Sequence, residues 1–124
     1  MLRPRCRRIV RLLRLGSPHR TILFPPDPAA VEAPACSLAP DSMRERGREW
    51  EMLRDRHLID RHRIGDTLTS HWRIAALSEL QGLVEAEHEC CPFFAFELIV
   101  GAQSITLRTT FPASVDPELF SGVG

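Results

Sequence analysis

The sequence contains no lysine, and its sixteen basic residues are all arginine. Such uniform usage points to a compositional bias of the genome, so a single arginine is a weak functional signal. Charge is also unevenly distributed. Residues 1–20 hold seven arginines and no acidic residue, whereas residues 21–124 hold nine arginines and sixteen acidic residues. The net charge of zero therefore conceals a basic N-terminal segment followed by an acidic remainder.

Long apolar runs are also missing. The apolar residues near the N-terminus are interrupted by Arg11 and Arg14, whereas a secretory signal needs a continuous apolar stretch of roughly 7–15 residues. A membrane-spanning helix needs about 20 such residues, and no stretch approaches that length. We therefore expect no membrane partner and a cytoplasmic location, where thiols stay reduced.

Several catalytic signatures are absent. The chain has no phosphate-binding loop and no H-E-x-x-H zinc motif. It also lacks the two C-x-x-C knuckles of a structural zinc site, so the sequence gives zinc little support. No nucleophile, base and acid stand at a recognisable spacing. These absences make an enzyme the least favoured class, with a cysteine-dependent enzyme as its remaining form.

The length and composition fit one globular domain with a tail. The 124 residues include 44% hydrophobic and 26% charged residues, which is ordinary for a globular protein. Five prolines occur between residues 17 and 34, and proline sustains neither a helix interior nor a central strand. We therefore predict a disordered, basic, proline-rich tail and linker over residues 1–34 and a single domain over 35–124. Residues 1–33 are expected to be dispensable for folding.

Hydrophobic spacing predicts an α+β fold. A capping box of Ser42 and Glu45 predicts a helix start, and Asp60–Gly65 predicts a charged turn. The predicted elements are a strand at Ala35–Leu38, a helix at 43–58, a strand at Thr67–Ile74, a helix at 76–90, strands at Phe93–Val100 and Ser104–Phe111, and a helical turn at Asp116–Phe120. The order β-α-β-α-β-β predicts a small antiparallel sheet with helices on one face.

The last two strands form a predicted hairpin. Gly101-Ala102 fits a two-residue turn, which places Phe96 opposite Leu107 and Leu98 opposite Ile105, with Glu97 and Arg108 diagonal on the other face. Trp72 and Phe96 lie on the apolar sides of alternating strands. Both are predicted core residues.

The cysteines carry the sharpest chemical signal. Cys90 and Cys91 are adjacent at a helix end that Pro92 terminates, so their Cα atoms lie about 3.8 Å apart. A disulfide normally needs at least about 4.4 Å, so these residues are expected to remain thiols. Cys36 on the first predicted strand would come near them if that strand pairs beside Phe93–Val100.

Three thiolates suit a soft metal ion, and neighbouring side chains could complete the site. His88 and Glu87 lie within the preceding helical turn and could each add a ligand. Equally, unpaired cysteines often pack as small apolar groups, and Glu87 could lie on a solvated helix face with Glu85 and Glu89. Cys91 continues an apolar stripe and is expected to be the more buried thiol, with Cys90 the more reactive one. Cys6 lies in the tail and is treated as incidental.

The segment Glu87-x-x-Cys90-Cys91-Pro92-Phe93-Phe94, together with Ala35–Leu38 and Arg48-Glu49-Trp50, resembles a small actinobacterial domain. That Cys-Cys-Pro-Phe-Phe domain occurs in the effector region of some MerR-type transcriptional regulators. The resemblance covers about residues 35–121 and implies that Cys36, Cys90 and Cys91 are sensing residues. No helix-turn-helix segment is present, so direct sequence-specific nucleic acid binding is not expected.

These observations give two main functional hypotheses. The first is a thiol-bearing sensor or binding domain for a soft metal ion, such as Cu(I), Hg(II) or Zn, or for a small electrophile. Its predicted metal ligands are Cys36, Cys90, Cys91 and His88. The second is a structural or protein-interaction module whose cysteines are core packing.

Overall fold

The computed structural model describes residues 20–34, 38–116 and 122–124. Its elements are β1 (Arg20–Phe24), α1 (Pro28–Glu32), α2 (Pro40–His57), β2 (Leu58–Ile64), β3 (Thr67–Arg73), a 3₁₀ turn (Ile74–Ala76), α3 (Leu77–Cys90), β4 (Ala95–Val100) and β5 (Ser104–Thr110). Within these ranges no helix is both long enough and apolar enough to cross a bilayer. The combination of helices and an antiparallel sheet confirms the predicted α+β class.

The five strands form one antiparallel sheet in the order β1-β4-β5-β3-β2. Alternate residues of β3, β4 and β5 are buried, as the alternation of apolar residues predicts. Trp72 on β3 is fully buried and Phe96 on β4 is 2% exposed, which confirms both as core residues. The helices contribute Trp50, Leu53, Leu80 and Val84 to the same core.

The hairpin between β4 and β5 differs from its predicted register. Leu98 pairs with Leu107 and Phe96 pairs with Thr109, a shift of two residues. The loop is longer than expected, and the Gly101 N–H donates to the Ser104 carbonyl at its base, at 2.9 Å. An even shift keeps every side chain on its predicted face, so the core assignment survives the wrong register. Glu97 and Arg108 consequently lie directly opposite, 2.9 Å apart.

The predicted linker contains an edge strand. β1 pairs with β4 from Arg20–Val100 to Phe24–Phe96, and Ile22 and Phe24 pack against the core. The prolines mislead because they all lie outside the run Thr-Ile-Leu-Phe, which carries strand-forming side chains. Residues 1–19 lie outside the described part of the chain, so the basic tail itself stays a prediction.

Another predicted linker segment forms a short helix. Asp27 caps α1, because its Oδ1 accepts a hydrogen bond from the Ala29 N–H at 3.0 Å. Pro28 stands in the first turn, where a missing N–H costs nothing. Residues 35–37 and 117–121 are outside the described ranges, which leaves the predicted strand at Ala35–Leu38 and the helical turn at Asp116–Phe120 without a structural outcome.

Two further predictions are corrected around α2. The helix begins at Pro40 after Ala39, with no side-chain cap, so the Ser42–Glu45 capping box does not form. Proline is favoured in the first turn and moves the start upstream. The predicted charged turn Asp60–Gly65 is mostly strand β2, whose charged residues are tolerated because it is an exposed sheet edge.

The actual turn between β2 and β3 is short. Ile64 pairs with Thr67, so Gly65 and Asp66 alone connect the two strands. Gly65 has φ +61°, a left-handed conformation that glycine adopts without steric cost. The order of elements is therefore β-α-α-β-β-α-β-β in the described residues, with β1, α1 and β2 added to the predicted set.

Candidate metal centre

The site lies where α3 ends. Cys90 is the last helical residue, and the Cys91 N–H donates to the Glu87 carbonyl oxygen at 2.7 Å. Pro92 follows and cannot continue the helical hydrogen bonding, as predicted from the sequence. Because Cys91 leaves the helix with φ −129°, its side chain is not held to the helical spacing of 100° from Cys90. Both thiols can therefore approach the same point.

Glu87, Cys90 and Cys91 form a compact group of possible metal ligands. One carboxylate oxygen and the two sulfurs all lie within 4.8 Å of one another. The Cys90 and Cys91 Sγ atoms are 3.8 Å apart, far beyond a disulfide bond of about 2.05 Å. The exposed fractions are 3% for Glu87, 7% for Cys90 and 2% for Cys91, which confirms Cys91 as the more buried thiol.

The Glu87 carboxylate receives two donors from α2. Arg46 Nη1 lies 2.8 Å from Glu87 Oε1, and Trp50 Nε1 donates to the same oxygen at 3.3 Å. The side chain of Glu87 is 4% exposed and that of Arg46 is 18% exposed. The expectation that Glu87 lies on a solvated face is therefore wrong. A buried carboxylate is stable here because an opposite charge and an indole N–H satisfy it.

Arg46 also lies near the Cys90 thiol. Its Nη1 lies 4.0 Å from Cys90 Sγ, within reach of a weak N–H···S hydrogen bond. Burial acts to lower the pKa of Arg46, but hydrogen bonds and charge interactions with Glu87 and Cys90 outweigh it and raise the pKa above its ordinary value. Arg46 is thus a fixed positive charge beside one carboxylate and one thiol.

A groove on the surface leads to this arginine. It measures about 430 Å³ and lies between α2 and α3. Its lining residues are Arg46, Glu49, Met52, Leu53, Arg56, Glu79, Gly82, Leu83 and Ala86. Arg46 therefore lies between the groove and the buried group, because it lines the groove and also contacts Glu87.

The remaining predicted ligands do not join this group in the described residues. His88 Nε2 lies 2.6 Å from the Pro25 carbonyl oxygen, and its ring packs against Phe24 and Phe96 at centroid distances of 5.7 and 6.4 Å. Its place is between α3 and the sheet edge. Cys36 and Cys6 lie outside the described residues, so the contribution of Cys36 stays a prediction.

Sequence reasoning missed Arg46 and did not give Trp50 a polar role. The helical spacing of Trp50 identifies it as a core residue, and burial of an indole N–H calls for an acceptor. That acceptor is 37 residues away in sequence, and the partner of Arg46 is 41 residues away. No local pattern in the sequence specifies either contact.

Comparison with protein-family models, with curated proteins and with solved structures gives no match. The geometry of the site itself indicates its chemistry. Two thiols and a carboxylate converge in a place shielded from bulk water, next to a fixed cation. Deprotonated, they offer two soft sulfur ligands and one oxygen ligand, a set that zinc and other thiophilic ions accept.

Proposed function

We propose that this domain binds a soft metal ion through Cys90, Cys91 and Glu87. The observation that carries the proposal is the convergence of these three ligand atoms within 4.8 Å at the end of α3. Proteins that bind thiophilic ions use such closely spaced thiolates, since thiolate sulfur is the ligand these ions prefer. Glu87 replaces His88 in the ligand set predicted from sequence.

Burial favours an ion over a bulky electrophile. Cys90 and Cys91 are 7% and 2% exposed, so an organic reagent of any size would have to open the core to reach them. A single ion requires far less opening of the core than such a reagent does. Reaction with a small electrophile at Cys90 is the weaker form of the same proposal.

A second candidate is a structural role without a ligand. Cys90 and Cys91 both belong to the hydrophobic core cluster, and Glu87 already has Arg46 and Trp50 as partners. In that case the domain is an interaction module and the group serves packing between α2 and α3. The two candidates differ in one measurable property, namely whether the two thiols respond together to a metal ion.

A sensing role is a further part of the proposal. It rests on the resemblance of Glu87-x-x-Cys90-Cys91-Pro92-Phe93-Phe94 to the effector region of some MerR-type regulators. By that resemblance, Cys36, Cys90 and Cys91 would be sensing residues, and we propose that a protein partner reads metal occupancy. The ion pair between Arg46 and Glu87 joins α2 to α3. A movement of Glu87 on metal binding would therefore change a contact of α2, which a partner could detect.

The test is the rate of thiol alkylation at increasing metal concentration, followed by peptide mapping, in urea just below the unfolding transition, where opening of the core admits the reagent to Cys90 and Cys91. We expect Cys90 and Cys91 to be protected together, with one shared midpoint, while Cys6 keeps its rate and serves as the internal reference. Protection of Cys36 at the same midpoint would add it to the ligand set. Unchanged rates at Cys90 and Cys91 with every thiophilic ion would contradict the proposal and favour the packing role.

A further inference from the structure

We infer that the ion is divalent and tetrahedrally coordinated, as Zn²⁺ is, and that Arg46 is its neutralising partner. This inference rests on the proposed function and narrows it, because the sequence alone names Cu(I), Hg(II) and Zn and, without the two C-x-x-C knuckles of a structural site, gives zinc little support. Two independent observations support it. One is the distance between the sulfurs, and the other is the charge of the buried group.

The sulfur separation fits a tetrahedral angle. With metal–sulfur bonds of about 2.3 Å, two thiolates of a tetrahedral ion lie about 3.8 Å apart. The Cys90 and Cys91 sulfurs are 3.8 Å apart, which matches this value and is close to the separation of about 4.0 Å for a trigonal ion with the same bonds. A linear two-thiolate ion with similar bonds needs about 4.6 Å between its sulfurs. Linear coordination would therefore require the two side chains to separate inside a packed core, where such movement is costly.

With a divalent ion, the formal charges of the buried group sum to zero. Two thiolates and the Glu87 carboxylate carry three negative charges, and the Arg46 guanidinium carries one positive charge. A divalent ion makes this buried cluster neutral, whereas a monovalent ion such as Cu(I) leaves it negative. An uncompensated charge in the interior is strongly unfavourable. The positive charge of Arg46 therefore favours a divalent ion over a monovalent ion at this site.

Arg46 is a positioning residue in this arrangement. Its Nη1 lies 2.8 Å from Glu87 Oε1 and 4.0 Å from Cys90 Sγ, so one guanidinium faces two of the three ligands. Partners that hydrogen-bond to metal ligands orient them, and their loss typically lowers metal affinity about 10–100-fold. Arg46 and Trp50 both donate to Glu87 Oε1, so the other carboxylate oxygen can turn to the ion.

Co²⁺ is the probe that tests this geometry, because its absorption spectrum reports coordination. We expect the full chain with Co²⁺ to show sulfur-to-cobalt charge-transfer bands and the intense visible bands of tetrahedral Co²⁺, and Zn²⁺ to bleach them at one equivalent. Cys90→Ser and Cys91→Ser should each remove the charge-transfer intensity of one thiolate. Thermal melting of each variant shows that the chain is folded before its spectrum is read.

The role of Arg46 is tested in the same titration. Arg46→Gln is expected to weaken Zn²⁺ binding about 10–100-fold, and Arg46→Lys should restore part of the loss because it keeps the positive charge. Arg44→Gln, on the same helix but exposed, is the matched control and should bind as the parent does. Tighter binding by Arg46→Gln would show that the arginine competes with the ion and would overturn its assigned role.

Failure of the inference and failure of the proposed function give different results. If Hg²⁺ or Cu⁺ protects both thiols from alkylation while Co²⁺ and Zn²⁺ do not bind, the tetrahedral divalent site is wrong and the soft-metal function stands. If none of the four ions binds, the proposed function itself is contradicted.

Discussion

Arg46 and Glu87, 41 residues apart in sequence, form an ion pair with a separation of 2.8 Å between Nη1 and Oε1. The pair joins the middle of α2 to the last turns of α3, and Trp50 adds a second donor to the same oxygen one turn further along α2. Because this carboxylate also belongs to the candidate metal group, helix packing and ligand binding share one side chain.

The first prediction concerns the stability that this ion pair provides. Arg46→Met should lower the free energy of unfolding by about 2–4 kcal/mol, because it leaves the buried Glu87 carboxylate without its countercharge. Urea denaturation measures the change, with Arg44→Met on the exposed face as the control. In a double-mutant cycle with Glu87→Gln the two effects should be non-additive by more than about 0.5 kcal/mol. Additive effects would mean that the pair contributes nothing specific.

The core assignment gives a second prediction. Phe96→Ala should destabilise the protein by about 3–5 kcal/mol, since a buried aromatic ring leaves a large cavity. The adjacent Glu97→Ala, on the opposite face of β4, is expected to cost less than about 0.5–1 kcal/mol because its ion pair with Arg108 is partly exposed. A larger loss in Glu97→Ala than in Phe96→Ala would show that the buried and open faces of β4 are exchanged.

The strand β1 yields a third prediction, which replaces the expectation that residues 1–33 are dispensable. Ile22 packs against the core while its neighbour Leu23 is 65% exposed. Ile22→Asp should lower the free energy of unfolding by about 1–3 kcal/mol, because it places an unpaired charge against the core. Leu23→Asp should change it by less than about 0.5 kcal/mol.

Deletion of residues 1–33 tests the same strand as a whole. The shortened chain should melt at a lower temperature and associate, because the exposed edge of β4 offers unpaired backbone groups to other chains. If it melts at the temperature of the full chain and stays dispersed, β1 contributes nothing to folding and the linker hypothesis is restored.

Metal binding should depend on pH, which is the fourth prediction. Both thiols must lose a proton to become ligands, and an ordinary thiol has a pKa of about 8.5. Affinity is therefore expected to rise with pH, with release of protons into a weakly buffered solution. Calorimetry in buffers of different ionisation enthalpy counts those protons. If binding releases no proton, protonated thiols do not become ligands and the prediction is wrong.

Much of the fold could be predicted from the sequence because it depends on local periodicity. The alternation in Thr67–Ile74 identifies β3 and its buried Trp72, and the spacing of Leu80 and Val84 identifies the buried side of α3. The hairpin register could not be derived, because loop length is set by backbone geometry rather than by the presence of Gly101. The register is nevertheless shifted by an even number of residues, so each side chain stays on the face of the sheet predicted for it.

The site shows the complementary limit of sequence reasoning. Cys90 and Cys91 are adjacent in sequence, and their proximity follows from that alone. Glu87 stands close enough to the cysteines in sequence to be a ligand, but its burial depends on Arg46 and Trp50, which only the packing of α2 against α3 brings near. His88 is one residue nearer to the cysteines in sequence than Glu87. Its ring nitrogen nevertheless faces the carbonyl oxygen of Pro25, directly after β1, a strand that the proline pattern concealed.

The central claim is that Cys90, Cys91 and Glu87 hold one divalent ion, and native mass spectrometry of the zinc-loaded chain tests it most directly. The account predicts one Zn²⁺ per chain in the parent protein and in Cys6→Ser, with the ion lost from the Cys90→Ser/Cys91→Ser double variant and weakened in Glu87→Gln. Zinc retained at full stoichiometry by the folded double variant, or absent from the folded parent protein, would contradict it.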